Sequence, residues 1–549
     1  MRVADLLPRR DDYDLRPRAL RADLAAGVTV GVVALPLALA FGASAGVGPA
    51  AGLVTAVVAG VVAAVAGGSH VQVSGPTGAM AVILAPIVAT HGTAAVALVS
   101  VLAGLIVLVA GVARLGRLAG LLPWPVVEGF TLGIACIIAL QQVPAALGVP
   151  AAAGHDTVGT AVRAAVAAVS DAGPRTAWTL GVVAAVVVLV AVLPRLHPGI
   201  PASLVAVVVV TVVTELAGAP VPRIGALPGS LPLPVVPDLD PATVRALAGP
   251  ALAVAALAAV ESLLSARVAA SMTRTGYRAD RELVGQGLAS VASGLFGGMP
   301  ATGAIARTAV NVRAGARTRL SAVVHALVVL GVLCLAAGPV GRIPLAALAG
   351  VLLVTSTRMI PARTVRTVLG AGRAAAVTFA VTAVLTVAVD LVVAIEIGIA
   401  VAAFFALRRL ARDAVVHREA LPGPATGGDE HIALFRLQGA LFFGAADRIL
   451  TAVLEGAAGA QVVVLRLSGL GILDATGARA LGEIVDTLEA RGLTVIVKGV
   501  RAEHRDVLSG VGALAGLRHP SHLHSDLDAA LAHARTHVRR PVPGGPPAG

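Results

Sequence analysis

Apolar runs recur along this chain as far as residue 407, each closed by a short basic, glycine-rich or proline-rich stretch. They fall at 24–45, 49–67, 76–91, 94–112, 125–144, 178–194, 200–217, 250–271, 282–297, 300–314, 320–338, 344–357, 374–390 and 391–407. Each is long enough to cross or half-cross a bilayer as a helix. The third and the tenth are broken at their starts, by VSGPTGAM over 73–80 and by MPATGAIARTAVNVRAGARTR over 299–319. The shared PTGA and PATGA are the nearest thing to an internal repeat. Fourteen runs, with the third of each seven interrupted, predict an inverted repeat whose two half-helices meet near the bilayer midplane.

A half-helix that starts inside a membrane carries unpaired N–H groups and a partial positive charge at that start, and both attract an anion. The pattern therefore predicts an anion site at Thr77, Gly78 and Ala79 and at Thr302, Gly303 and Ala304, with Arg307 two turns further on.

Composition fits this reading. With 57% of 549 residues apolar, 13% charged and a mean hydropathy of +0.90, most of the chain belongs in lipid. The net charge of +12 is spread in short clusters between runs and has no interleaved aromatics, so a nucleic-acid partner is not expected. Cys136 and Cys334 both lie in apolar runs, which excludes a disulfide scaffold and a cysteine metal site. Six arginines between Arg2 and Arg21 precede the first run without a small-residue cleavage site, so that run is expected to remain as a span with the N-terminus inside.

The arginines then sort by side. Inner loops take Arg114, Arg117, Arg195, the Arg274–Arg281 and Arg313–Arg319 groups, and Arg358 to Arg373; outer loops take Arg163, Arg175, Arg223, Arg245 and Arg342. Seven prolines between 218 and 249 predict an extended outer loop between the halves. The expected organisation is a cytoplasmic segment 1–22, a transmembrane domain 23–412, a linker 413–429 containing LPGPATGGD, a cytoplasmic domain 430–540 and a disordered tail 541–549. In the small domain, strands at Ile432–Leu437, Val462–Leu467 and Thr494–Val497 alternate with a helix at Ala475–Ala490, which predicts an α/β module with a largely parallel sheet.

Glu261 stands about ten residues into its run, where an acid costs on the order of 2.5 to 3.5 kcal/mol to insert. Ser262 adjoins it and Ser265 follows one turn on. The functional reading is a carboxyl that binds the coupling cation, most simply a proton; the plain one is a hydrogen bond between spans. Arg307 either completes the positive field, reaches Glu261, or snorkels to the inner face with Arg313. Thr77, Thr302 and Thr308 offer hydroxyls to an anion, although threonine is also a common local backbone partner in helices. Glu128 reads as an interface residue with Trp124, and Glu215 and Glu396 have no evident partners. Asp474 reads as an N-cap. His533 and His537 are four apart and His522 and His524 two apart, with no third ligand evident, so they read as solvated surface and no metal is expected. No nucleophile with a base, phosphate loop or dinucleotide fingerprint is present, so an enzyme is not expected and no cofactor is implied.

Several stretches resemble the SulP anion-transporter family: ADLAAGVTVGVVALPLALAFGASAGVGPAAGL, GGSHVQVSGPTGAM and the segment from ALAAVESLLSARVAA to GAIARTAVNVRAGARTRLS. The C-terminal GILDATGARAL resembles the STAS domain of that family. The resemblance implies a fourteen-span, uracil-permease-type inverted repeat in which spans 1–4 and 8–11 move as a core against a gate of spans 5–7 and 12–14. It implies anion binding between spans 3 and 10, cation coupling at Glu261, and a homodimer in the inner membrane with both termini cytoplasmic. Sodium-coupled relatives carry aspartate at that position, and glutamate resembles the proton-coupled members. Thr476 matches a phosphorylated position of related soluble regulators, with Ala475 beside it where they have serine. The expected function is proton-coupled symport of a small anion, whether sulfate, bicarbonate or a C4-dicarboxylate, with a cytoplasmic partner for the STAS domain. The alternatives are an uncoupled channel or exchanger, and a membrane-anchored STAS scaffold.

Overall fold

The computed structural model describes residues 12–117, 123–149, 157–170, 173–197, 199–359, 362–389 and 391–538; the tail expected at 541–549 lies outside them. A helix covers each apolar run. The first half holds α1 (Pro17–Ser44), α2 (Pro49–Ala66), α3 (Gly78–His91), α4 (Ala94–Val112) and α5 (Trp124–Gln141). The short α6 (Val143–Leu147) and α7 (Thr157–Ser170) follow, then α8 (Pro174–Leu196) and α9 (Ala202–Leu216). The second half holds α10 (Pro241–Thr273), α11 (Ala279–Leu295), α12 (Ile305–Arg313), α13 (Leu320–Leu335), α14 (Ala337–Gly341), α15 (Leu345–Met359), α16 (Ala362–Gly370), α17 (Arg373–Ala388) and α18 (Leu391–Asp413). Two of these, α7 and α16, fall outside the predicted runs, and α6 and α14 begin at the ends of runs and extend beyond them. Seven helices among the described residues, α1, α8 and α10 included, are long and apolar enough to cross a membrane alone. The 14 residues of α3 reach only about 21 Å at 1.5 Å per residue, and the hydrocarbon layer is about 30 Å thick.

Packing follows the two-fold relation between halves. Helix α4 packs on α10 and α11, and α13, its counterpart, packs on α1 and α2. In the same way α5 packs on α17 while α8 packs on α15. Small residues let these helices approach. At the α4–α11 crossing a Cβ on Gly104 would stand 2.7 Å from the Gly287 carbonyl oxygen, and one on Gly287 2.6 Å from that of Gly104.

The chain divides into two compact units, 1–399 and 400–549, with the division inside α18. The second unit contains a five-stranded sheet of order β3 (Val415–Glu419), β4 (Ile432–Leu441), β5 (Val462–Leu473), β6 (Thr494–Lys498) and β7 (Leu523–His524). The β4–β7 pairs are parallel, as the alternation of strands and helices predicts. Edge strand β3 runs antiparallel to β4, so part of the stretch read as linker is sheet. Alternate residues face opposite ways: Ala433, Phe435, Val463, Leu465 and Val495 pack under α19 (Ala446–Gly456), α20 (Ala475–Ala490) and α21 (Ala502–Val511). Ile432, Leu434, Val462, Val464 and Ile496 pack on the other face with α22 (Leu527–Thr536). Arg535 of α22 grips Asp429 with Nε and Nη2 at 2.8 and 3.0 Å, and this pairing holds the Asp429 carboxyl below the ordinary carboxylate value.

Candidate functional site: two half-helix starts joined by an acid

The breaks before α3 and α12 are built as a pair. Ser74–Gly75 (β1) and Thr302–Gly303 (β2) form a two-residue antiparallel ladder, Ser74 opposite Gly303 and Gly75 opposite Thr302. Proline and glycine end regular structure here, and the ladder satisfies backbone groups that lipid would leave orphaned. Antiparallel strands then send the two helices off in opposite directions from one point. The sequence motif PTGA/PATGA is this crossing.

Glu261 reaches the crossing from α10. Its Oε2 accepts the hydroxyl of Thr302 at 2.7 Å and that of Thr77 at 2.9 Å, and the two threonine oxygens are 3.4 Å apart. One carboxylate oxygen thus links three elements that are far apart in the chain. Ser262, beside it on α10, accepts the Gly303 N–H at 3.2 Å, and Ser265 meets Thr308 at 3.3 Å. The polar face read from Glu261, Ser262 and Ser265 faces β2 and α12.

Arg307 is 2% exposed. Its Nη2 donates to the Pro76 carbonyl at 2.7 Å, which ties α12 to the turn before α3, and Nη1 has no partner among the described residues. It neither snorkels nor pairs directly with Glu261, though it lies within electrostatic range of it. The guanidinium lies over Gly75: a Cβ there would stand 2.8 Å from Nη1, and Gly75 has φ +154°. Only glycine leaves this space.

The free N–H groups narrow the set of candidate anion donors named from the sequence. The Gly303 N–H is taken by Ser262 and that of Ala304 by the Val73 carbonyl at 2.9 Å. Among the described residues the unpartnered backbone donors at these starts include Gly78 and Ala79 of α3, and Ile305, Ala306 and Arg307 of α12. Thr77, the α3 N-cap, accepts weakly from Met80 N at 3.4 Å. Thr308 is engaged by Val73 N at 3.1 Å, which makes it a strut. Gly78 has Ile138 of α5 directly against it, so a helix of the predicted gate touches one end of the site.

A second polar network, not predicted, holds the ladder from behind. Glu282 of α11 is buried, and its carboxylate accepts Gly68 N (2.7 Å), Ser69 N (3.0 Å), Gln72 Nε2 (2.9 Å) and Gln286 Nε2 (2.9 Å). Gln286 also donates to Ser74 of β1 at 2.5 Å. Two arginines read as inner-loop charges are buried instead: Arg281 pairs with Asp12 at 2.7 Å, and Arg319 donates to the Gly67 and Ala64 carbonyls at 2.6 and 3.1 Å. Asp23 caps the turn before α13, accepting Arg317 N, Thr318 N and the Thr318 hydroxyl. The available signal was a charged heptapeptide, RADRELV, running straight into an apolar helix.

The remaining residues are soon placed. Trp124 donates to Glu128 at 2.9 Å, and Glu215 has a partner after all in Arg223 at 2.9 Å. Asp474 caps α20, accepting Gly477 N at 2.7 Å, and Thr476 is exposed on its first turn. The histidine reading needs correction. A turn of chain brings His522 against α22, so ring nitrogens of His522, His533 and His537 lie within 4.8 Å of one another.

Comparison with known proteins agrees with this architecture. Residues 20–382 match the sulfate permease family and residues 424–530 the STAS domain. The chain is 33% identical over 497 residues to "Putative sulfate transporter YvdB" of Bacillus subtilis, covering 89% of this chain and 93% of that one. It is 33% identical over 460 residues to the bicarbonate transporter BicA of Picosynechococcus, covering 79% and 80%. The solved transmembrane domain of a cyanobacterial BicA superposes with a TM-score of 0.62 at 32% identity, covering 71% of this chain and 98% of that one. Murine solute carrier 26 family member A9 in its inward-facing state shares the fold, with a TM-score of 0.83 at 17% identity over 97% and 94% of the two chains. A multi-pass helical bundle with paired broken spans and an α/β module after it, matched along most of its length, places this chain in the sulfate permease (SulP) family of anion transporters with a STAS domain.

Proposed function

We propose that this transporter carries a small oxyanion, sulfate or bicarbonate, inward by symport with a proton taken up at Glu261, and that it works by alternating access in the inner membrane with both termini in the cytoplasm. The observation that carries the reading is the acceptance of the Thr77 and Thr302 hydroxyls by a single oxygen of Glu261. The free N–H groups of Gly78, Ala79, Ile305 and Ala306 and the charge of Arg307 favour a negative guest. An ionised Glu261 uses that same positive field. Two like charges at roughly 4 Å repel by about 4 kcal/mol at an effective dielectric near 20, so anion and carboxylate exclude one another until a cation neutralises the acid. A proton does so without needing further ligands; sodium would need several oxygens. The names of the relatives, for sulfate and for bicarbonate, supply the substrate class. In the same reading the protein works as a homodimer and its STAS domain meets a cytoplasmic partner.

The test is uptake into proteoliposomes of labelled sulfate, bicarbonate, fumarate and succinate, with and without an inward proton gradient. Accumulation of one oxyanion only with the gradient, abolished in Glu261→Gln, is the expected result. Gradient-independent flux through the native protein, or undiminished accumulation by the variant, overturns proton coupling at Glu261.

A further inference from the structure

The STAS domain carries a cluster of histidines that transport does not use. His519, His522, His524, His533 and His537 gather where the short turn before β7 meets the C-terminal half of α22. Ring nitrogens of His522, His533 and His537 converge within 4.8 Å. His533 Nε2 and His537 Nε2 face one another at 3.2 Å. Two imidazole nitrogens bound to one tetrahedral ion, with bonds of about 2.0–2.1 Å, stand about 3.3 Å apart. The helical i, i+4 spacing of these two residues is what aims them at one point.

The third member is prepared in the same sense. His522 is 3% exposed, and its Nδ1 is buried without a partner among the described residues. A ring nitrogen buried without a partner is costly, and this one belongs to a ring already gathered with two others, so the cluster calls for a ligand. His533 has an outer partner as well. Its Nδ1 lies 2.9 Å from His524 Nε2, the kind of contact that orients a ligating imidazole and fixes its tautomer. Glu489, whose charge reaches His537, is paired with Arg518 and accepts Val495 N, so it is engaged away from the cluster.

We propose that His522, His533 and His537 bind one late first-row divalent metal ion, of which Zn²⁺ is the type, with His524 holding His533 in place and water in the fourth position. Three neutral imidazoles and an open position suit such an ion, whereas Mg²⁺ and Ca²⁺ ask for oxygen. The ion would clip α22, which covers one face of the sheet, to the turn at the β7 edge. The site is independent of Glu261 and of the transport reading.

The experiment uses the full-length protein, purified in detergent without a polyhistidine tag, stripped with chelator and titrated with Zn²⁺ and with Co²⁺. Metal content after dialysis and the visible absorption of bound Co²⁺ are read. One ion per chain with a tetrahedral Co²⁺ spectrum is expected. Retention should fall at least tenfold in His537→Ala and His533→Ala and stay unchanged in the control His417→Ala. Because His537 is exposed, its loss should not unfold the domain, and the uptake of labelled anion by that variant reports that the protein is intact. No stoichiometric retention by the native chain, or retention equal in His537→Ala and the native chain, overturns the site.

Discussion

At the scale of single residues, Glu261 and Glu282 of the membrane unit are the same side chain in different surroundings. Glu261 accepts two hydroxyl protons and lies among free amide donors. Glu282 accepts four N–H groups from three directions and has no spare acceptor geometry. In the proposed reading the first changes its charge, while the second is a fixed post. Glu261→Gln should therefore fold and extract like the native protein, lose gradient-driven accumulation and keep anion exchange. Glu282→Ala strands four buried donors, for a loss of about 3–5 kcal/mol. It should show as a large drop in thermal stability and in folded yield by size-exclusion chromatography. If Glu282→Ala proved as stable as the native protein, Glu282 would not be the post that holds the ladder. Of the two, only Glu261 stood out in the sequence, because it stands about ten residues into an apolar run, whereas Glu282 opens its run directly after a charged stretch.

Among the elements, the two half-helices make a direct test possible because their binding groups are backbone. Ile305 is the first residue of α12, 44% exposed, and follows Ala304 at φ −93°, ψ 108°, a conformation that suits a residue before proline. Ile305→Pro removes one free N–H while keeping the helix start, since proline is favoured at that position. A hydrogen bond to a charged group is worth ~1.5–3 kcal/mol. Anion affinity, read as the concentration that protects the protein against heat, should weaken roughly ten- to hundredfold with unchanged anion-free stability. An unaltered affinity would place the anion elsewhere. The half-helices themselves were legible from their Gly-Pro breaks and paired motifs. Which N–H groups remain free was not, because Ser262 and Val73 claim those of Gly303 and Ala304 from 41 and more than 200 positions away. The histidine cluster was hidden for a similar reason. A spacing of four residues shows two ligands on one helix, but the third comes from a turn whose approach depends on how the sheet edge packs.

On the scale of the whole molecule, the membrane unit and the STAS unit each have their own core, and β3 shows where the chain can be cut. A protein ended after Asp413 should keep anion-dependent thermal protection. One ended at Asp429 retains β3 without β4, an unpaired edge that invites aggregation, and should be recovered in lower yield. Loss of anion protection in the shorter protein would make the STAS unit part of the binding function. The division into a membrane unit and an α/β module was legible because composition changes abruptly after Arg412, but an edge strand of five residues carries too weak an alternation to separate it from a connector.

The β1–β2 ladder has a consequence for energetics. It fastens both helix starts to each other, and Glu261 fastens both to α10, so under the proposed alternating access the candidate anion donors keep one geometry whichever way the protein opens. A site carried whole between two compartments offers the same intrinsic affinity to each. The protein then has no preferred direction of its own. Under the proposed proton symport, net flow is set by the concentrations of anion and proton on the two sides, and reversing them should drive the same turnover backwards.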